Sequence, residues 1–192
     1  MYDKETIIEK AMGMLTPKRH KHTLGVIETA LKLAEHYGGD KEKIEIACAC
    51  HDIFRGKYGE DLNEIIIEYG LPEMYLNNSN LAHGKLAAIH MKEKMGIDDS
   101  DILNAVSYHT TGRPGMSLTE KIVFVADAIE PGRDYPGVDE IRNVAFSDLD
   151  KACLLSLSGT VDHLKKSGME EEEIGEDTLK AVEYFKKKEI TE

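Results

Sequence analysis

The chain is short of almost everything that would staple it, anchor it in a membrane or leave it unfolded. Only three cysteines occur in 192 residues, Cys48, Cys50 and Cys153, and no CxxC pair is formed. Cys48 and Cys50 stand too close on one helical stretch to pair readily. The three read as small buried residues of a reducing compartment, not as a disulfide frame or a zinc site. There is no long apolar run and no basic-then-apolar leader, which predicts no membrane span, no secretion signal and a cytoplasmic location. Basic charge is scarce: 24 Lys and Arg against 36 Asp and Glu give a net charge of -12. That argues against a nonspecific nucleic-acid binder, which needs a broad basic surface. It leaves room for a phosphate ligand, because a metal and a few arginines reverse the sign locally. Internal repeats, low-complexity tracts and Pro/Gly-rich linkers are missing too.

What is present is a globular composition, 41% hydrophobic and 31% charged, long enough for one domain with a real core. The apolar spacing is helical throughout, with almost no strand-like alternation. Asp3 caps a first helix that stops before Pro17. A second carries the stripe Leu24, Ile27, Leu31 and Ala34 and ends at Gly38-Gly39. Lys18, Arg19, His20 and Lys21 make its start basic. The third, capped by Asp40, runs through Ile44, Ile46, Ala47 and Ala49 to His51-Asp52 and closes at Gly56. It is so apolar at its end that it reads as a central helix with no free face. Further helices are expected over residues 61–69, 81–95, 102–109, 122–129, 138–145 and 148–166. Asn77 to Asn80 read as turn chemistry, and Ser117 with Glu120 as a capping box. The acidic run 170–173 reads as a solvated loop. Asp177 is expected to cap a last helix whose core face is Leu179, Val182 and Phe185. The eight methionines read as core filler.

The polar exceptions to this apolar pattern are His22, His51-Asp52, His83, His109 and Asp127. Imidazole and carboxylate together suit a borderline divalent metal. On a helix, neighbours point about 100° apart, so His51 and Asp52 can share one ion only in a cavity that other helices close. Asp127 is the only charge within the apolar run Ile122 to Ile129, and a buried carboxylate needs a cation, dense hydrogen bonding or a metal. Taken alone, His-Asp is a helix end with a hydrogen-bonded histidine, and His22 a surface residue. The ordered set is more specific than any member. His20, His36, His90 and His163 lie outside it and read as surface or packing residues. Arg113 reads as a plain loop residue.

The order H…HD…H…H…D resembles that of the HD-domain metallohydrolases. The segments His22-Thr23-Leu24-Gly25-Val26, Leu81-Ala82-His83-Gly84 and His109-Thr110-Thr111-Gly112-Arg113-Pro114-Gly115 sharpen the match. So does Asp127-Ala128-Ile129-Glu130-Pro131-Gly132-Arg133-Asp134-Tyr135-Pro136-Gly137. Together they resemble the YqeK-like branch, the symmetrical bis(5'-nucleosyl)-tetraphosphatases, over residues 18–145. One departure stands out: many members carry Tyr-Ala-Lys after His-Asp, where this chain has Ile53-Phe54-Arg55. Arg for Lys keeps the charge and adds a bidentate fork, while Ile53 and Phe54 leave the base contact open.

The resemblance implies an all-α bundle of about eight to ten helices. The motif-bearing core would span 18–145, with C-terminal helices over 148–188 packed on it, in one domain over 1–192. It implies a metal held by His22, His51, Asp52 and Asp127, iron first, with Mn, Co, Zn and Mg as alternatives. It implies catalytic roles for Asp52, His83 and His109. His83 and His109 would contact phosphate, protonate the leaving ADP or hold a second metal. The nucleotide, a dinucleoside polyphosphate or its ADP product, would meet His22, Asp52, Ile53, Phe54, Arg55, His83, His109, Thr110, Asp127 and Arg133. The expected reaction is hydrolysis of diadenosine tetraphosphate to two ADP. The rivals are another HD-type nucleotide phosphohydrolase and a nucleotide-binding sensor without turnover. A homodimer is compatible with the sequence, but no heptad seam calls for one.

Overall fold

The computed structural model describes residues 3–170 and 174–191. Among these there are ten α-helices, one 3-10 turn at Glu73–Tyr75 and no strand, as the helical periodicity requires. The residues 171–173 of the acidic run lie outside the described set.

The helix at the centre is α3 (Lys41–Cys50), capped by Asp40. Ile44 and every residue from Ile46 to Cys50 are buried, so it has no free face, as its sequence indicated. It packs against α1 (Lys4–Gly13), α2 (Pro17–Tyr37), α6 (Ser100–Tyr108) and α7 (Leu118–Ile129). Its small Ala47, Cys48, Ala49 and Cys50 side chains let those neighbours come close. All three cysteines are free and buried.

The second helix is where the expected stripe is corrected. Leu24 is 51% exposed, and the buried line of α2 is Thr23, Val26, Ala30, Leu33 and Ala34. The face is turned by about one residue. That turn puts the short Thr23, Val26 and Ala30 against the core and leaves His22 at the inward edge, with 11% of its side chain exposed. Gly38 ends the helix in the left-handed conformation at φ 73°.

The Asn77 to Asn80 segment is more than a turn. Asn78 accepts a hydrogen bond from the Leu81 amide, and α5 (Ser79–Met95) starts two residues earlier than the apolar pattern implied. Likewise α4 (Gly59–Glu68) starts before Asp61; of its three consecutive isoleucines only Ile66 is fully buried, and Ile67 faces solvent. The capping box of α7 is present. Arg113 is no plain loop residue: it grips Glu120, itself buried, through two hydrogen bonds of 2.6 Å.

Helices α8 (Val138–Val144) and α9 (Leu149–Lys166) pack on each other and on α7, and α10 (Glu176–Thr191) packs on α9. One hydrophobic cluster extends from Ile7 through α3 to Phe185 on α10. Asp177 does not precede the last helix but stands in its first turn, where its carboxylate accepts from Lys85 at 3.4 Å. No described helix is long and apolar enough to cross a membrane.

Candidate metal centre

Five helices bring the polar exceptions together. His22 comes from the second turn of α2, His51 and Asp52 from the end of α3, His83 from α5, His109 from the end of α6 and Asp127 from α7. Two glycines permit the approach. A Cβ on Gly84, next to His83, would meet the Val106 carbonyl at 2.8 Å and the His109 ring at 3.1 Å. A Cβ on Gly25, one turn beyond His22, would meet Glu130 Oε2 at 2.7 Å.

The four histidines are oriented alike. Nδ1 donates to a carbonyl in three of them: His51 to Cys48 at 2.6 Å, His83 to Ser79 at 2.8 Å and His109 to Val106 at 2.7 Å. His22 Nδ1 donates to the Glu130 carboxylate at 3.0 Å. An acceptor on one ring nitrogen fixes the tautomer and leaves a lone pair on the other. All four Nε2 atoms therefore point inward. His22 and His51 Nε2 stand 3.4 Å apart, and His83 and His109 Nε2 2.9 Å apart. Lone pairs at such separations repel unless a cation or a proton lies among them.

Asp52 is shared between the two pairs. Its Oδ2 lies 3.8 Å from His22 and 3.5 Å from His51, while its Oδ1 lies 3.4 Å from His83 and 3.9 Å from His109. Asp127 Oδ1 is 3.0 Å from His22 Nε2 and 4.0 Å from His51 Nε2. Two overlapping groups result, His22/His51/Asp52 and Asp52/His83/His109, each with its donor atoms within 4.8 Å of one another. Oriented imidazole nitrogens around carboxylate oxygens are the donor set of a divalent transition metal, and the site fits one.

Electrostatics agree with that reading. Burial pushes the His83 imidazole down to about 3 and that of His109 down to about 4, so both are neutral at pH 7, the form that ligates. Burial works against charge on Asp52, but His51, whose own imidazole is raised against its burial by the neighbouring carboxylates, outweighs it and holds the carboxyl below the usual range. At Asp127 burial is likewise outweighed, by His22 and Arg133. Some 17% of the Asp127 side chain is exposed, so the cluster opens to solvent on that side.

Cations surround the cluster. Arg133 donates to the Asp127 carboxylate and, through Nε, to the Asp127 carbonyl at 2.7 Å. The residue expected on phosphate is thus engaged with a carboxylate. Arg55 Nη1 comes within 3.3 Å of His83 Nδ1, whose proton already goes to Ser79, so its donors remain available to an anion. Thr110 Oγ1 lies 3.1 Å from His109 Nε2 and 3.3 Å from His83 Nε2. Ile53 and Phe54 are buried and line a separate cleft with Tyr69 and His90. Of the histidines outside the pattern, His20, His36 and His163 are exposed, and His90 meets the Tyr69 hydroxyl at 2.9 Å.

Two residues escaped the sequence reading. Arg19 donates to Asp52 Oδ2 at 2.9 Å; it stands three positions before His22, on the same helical face. Glu130 is buried at the end of α7, where a negative charge opposes the helix dipole. That mismatch was the available signal.

A helical bundle closed around inward-facing histidines and a central His-Asp pair defines a class, the HD-type metallohydrolases. A family model described as HD domain matches residues 19–132. A "Bis(5'-nucleosyl)-tetraphosphatase, symmetrical" from Bacillus subtilis (strain 168) is 41% identical over 165 residues, 85% of this chain and 89% of the relative. A protein of the same name from Staphylococcus aureus (strain NCTC 8325 / PS 47) is 44% identical over 151 residues, 75% of this chain and 78% of the relative. A crystal structure of a "predicted HD superfamily hydrolase involved in NAD metabolism" from Clostridium acetobutylicum superposes with a TM-score of 0.87 at 42% identity, covering 98% of this chain and 99% of that one. The chain belongs to the HD-domain family and, within it, to the symmetrical bis(5'-nucleosyl)-tetraphosphatases.

Proposed function

We infer that this chain is a metal-dependent hydrolase that adds water across the central anhydride of diadenosine tetraphosphate and releases two ADP. The observation that carries the reading is the inward convergence of His22, His51, Asp52 and Asp127, with His83 and His109 beside them, in a chain that shares its family with proteins of that name.

His22, His51, Asp52 and Asp127 would hold the ion, which we take to be iron. A divalent cation there supplies Lewis acidity, lowers the pKa of water and screens phosphate charge. The protein's own part is placement. Arg55 flanks the His83 side, and Arg19 and Arg133 flank the carboxylates Asp52 and Asp127. A P1,P4-dinucleotide carries two phosphates on each side of the scissile bond, and cations on both flanks match that symmetry. Asp52, held anionic between two histidine pairs, is placed to take the proton of the attacking water. Thr110 can donate to a phosphate oxygen beside His83 and His109. Because the Nδ1 protons of those two rings are spent on carbonyls, they serve as acceptors or ligands rather than as acids for the leaving ADP. All these groups come from one chain, and we read residues 1–192 as one HD-type domain. Buried, free cysteines fit the reducing cytoplasm.

Anaerobic purification with elemental analysis, followed by chromatography of the products of diadenosine tetraphosphate, tests the reading. Two ADP are expected. ATP with AMP, nucleoside with phosphate, or tight binding without turnover at full metal occupancy would overturn it.

A further inference from the structure

The mechanism leaves the cavity nearest the His-Asp turn unused. An open cleft of about 400 Å³ lies beside the turn that follows Asp52, within the size range of small-molecule sites. Three aromatic rings wall it. Phe54 and His90 meet edge to face at 5.4 Å between centroids, and Tyr69 stands 6.3 Å from Phe54 and 6.4 Å from His90. The Tyr69 hydroxyl and His90 Nδ1, 2.9 Å apart, hold each other in place. Met14, Lys57 and Glu68 complete the rim.

The place of this cleft in the fold gives it a meaning. Residues 51–57 run alongside α5: Asp52 and Arg55 reach His83, and Phe54 reaches His90. His83 and His90 are seven positions apart, so they share one face of α5 and are separated by about 10 Å along its axis. That is comparable to the reach of a nucleoside diphosphate from its terminal phosphate to its base. Arg55, at the His83 end, stands on the metal-centre side of the cleft, where the intervening phosphates would pass.

We propose that the cleft walled by Phe54, Tyr69 and His90 holds one of the two adenine bases of the dinucleoside tetraphosphate. Aromatic rings and a thioether give a base an apolar, polarisable surface to pack on. Glu68 offers an acceptor for an exocyclic amino group, and Lys57 a cation for the phosphates. The proposal rests on the substrate class inferred above: only a substrate with a nucleoside at each end fills this cleft and the opposite flank together. A mononucleotide needs one of them.

The test compares wild type with Met14→Trp and Phe54→Ala. Met14 is exposed at the rim, so a tryptophan there fills the cleft without disturbing the core, and it stands in if Phe54→Ala fails to fold. Calorimetry gives the Kd of a methylene-bridged, non-hydrolysable diadenosine tetraphosphate and of adenosine tetraphosphate, with thermal melting as the check on folding. The Kd of the dinucleotide is expected to rise about tenfold in both variants, the effect of losing one stacked base. That of adenosine tetraphosphate should change less than twofold, because its single base can use the other side. An unchanged dinucleotide Kd in folded Met14→Trp, or an equal loss for both ligands, overturns the proposal. Wild-type cleavage of diadenosine tetraphosphate is measured separately; its absence refutes the inferred activity and leaves the Kd comparison to decide the cleft.

Discussion

Glu130 does for His22 what backbone carbonyls do for the other three histidines: it accepts the Nδ1 proton and turns Nε2 inward. A carboxylate in that position also makes the ring more basic, and losing such a partner typically costs 10–100-fold in metal affinity. Glu130→Ala is therefore expected to weaken metal binding by about that factor, read by competition with a chelator. Glu130→Gln should retain most of the affinity, because an amide oxygen accepts the same proton. Equal loss in both would mean that charge, not orientation, is what Glu130 supplies. The residue was passed over because a glutamate before Pro131 looks like an ordinary polar helix end, although its charge opposes the helix dipole there. Arg19 was hidden for a similar reason, within a basic tetrad where any cation suits a solvated face. Five of the six converging residues were legible because each interrupts or ends an apolar stretch, where a polar group must be partnered; His22, behind a basic start, was legible only as a member of the ordered set. Arg133 was legible as a member of the site, but which atom it meets depends on the turn at Pro131 and Gly132, beyond the reach of spacing.

Between helices, contact distance decides what a side chain does. Gly84 and Gly159 are both helical glycines, and propensity alone favours alanine by about 1 kcal/mol at either. At Gly159, on the exposed face of α9, nothing lies within 4 Å of an added Cβ, so Gly159→Ala should raise stability by about 0.5–1 kcal/mol. At Gly84 the added carbon runs into the Val106 carbonyl and the His109 ring. Overpacking of this kind costs about 1–3 kcal/mol, which outweighs the propensity gain, so Gly84→Ala should lower the midpoint of denaturant unfolding and loosen the metal. A second device ties α7, α9 and α10: Asp150 accepts from Lys121 at 2.7 Å and from Lys188. Burial would raise the Asp150 pKa, but the two lysines outweigh it and lower it from 3.8. A lowered folded value means stability that is present above the unfolded pKa and lost as pH falls through the folded one. Wild type should thus exceed Asp150→Asn by about 1 kcal/mol at pH 7, with the gap closing below pH 4. A gap that widened on acidification would refute the assignment. Helix caps such as Asp3, Asp40 and Ser117 were readable as local chemistry, whereas the rotation of α2 was not. Leucine at 24 and valine at 26 are both apolar, and only the packing of α2 on α3 and α7 chooses between them.

At the scale of the molecule, the proposed ion site lies where the bundle closes, with candidate donors on α2, α5, α6 and α7 and at the end of α3. An ion held by His22, His51, Asp52 and Asp127 would crosslink three helices that are far apart in sequence, α2, α3 and α7, so its removal should register in global stability and not only in activity. A ligand at a hundred times its Kd adds about 2.7 kcal/mol. For a chain of this size each kcal/mol moves Tm by about 2–4 °C, so chelation should lower Tm by roughly 5–10 °C. It should not unfold the protein, in contrast to small zinc domains whose fold is metal binding. One hydrophobic cluster joins Ile7 to Phe185 independently of the site, and each of the two carboxylates most exposed to mutual repulsion, Asp52 and Asp127, already has an arginine of its own. The check is calorimetry with and without chelator, beside far-ultraviolet circular dichroism. A downward shift with the helical signal and a single cooperative transition preserved is the expected result, and His51→Ala should melt at the same temperature in either condition. If the chelated wild type instead lost its helical signal at room temperature, the core would be weaker than its burial indicates, and the ion would be part of the fold as much as of the chemistry.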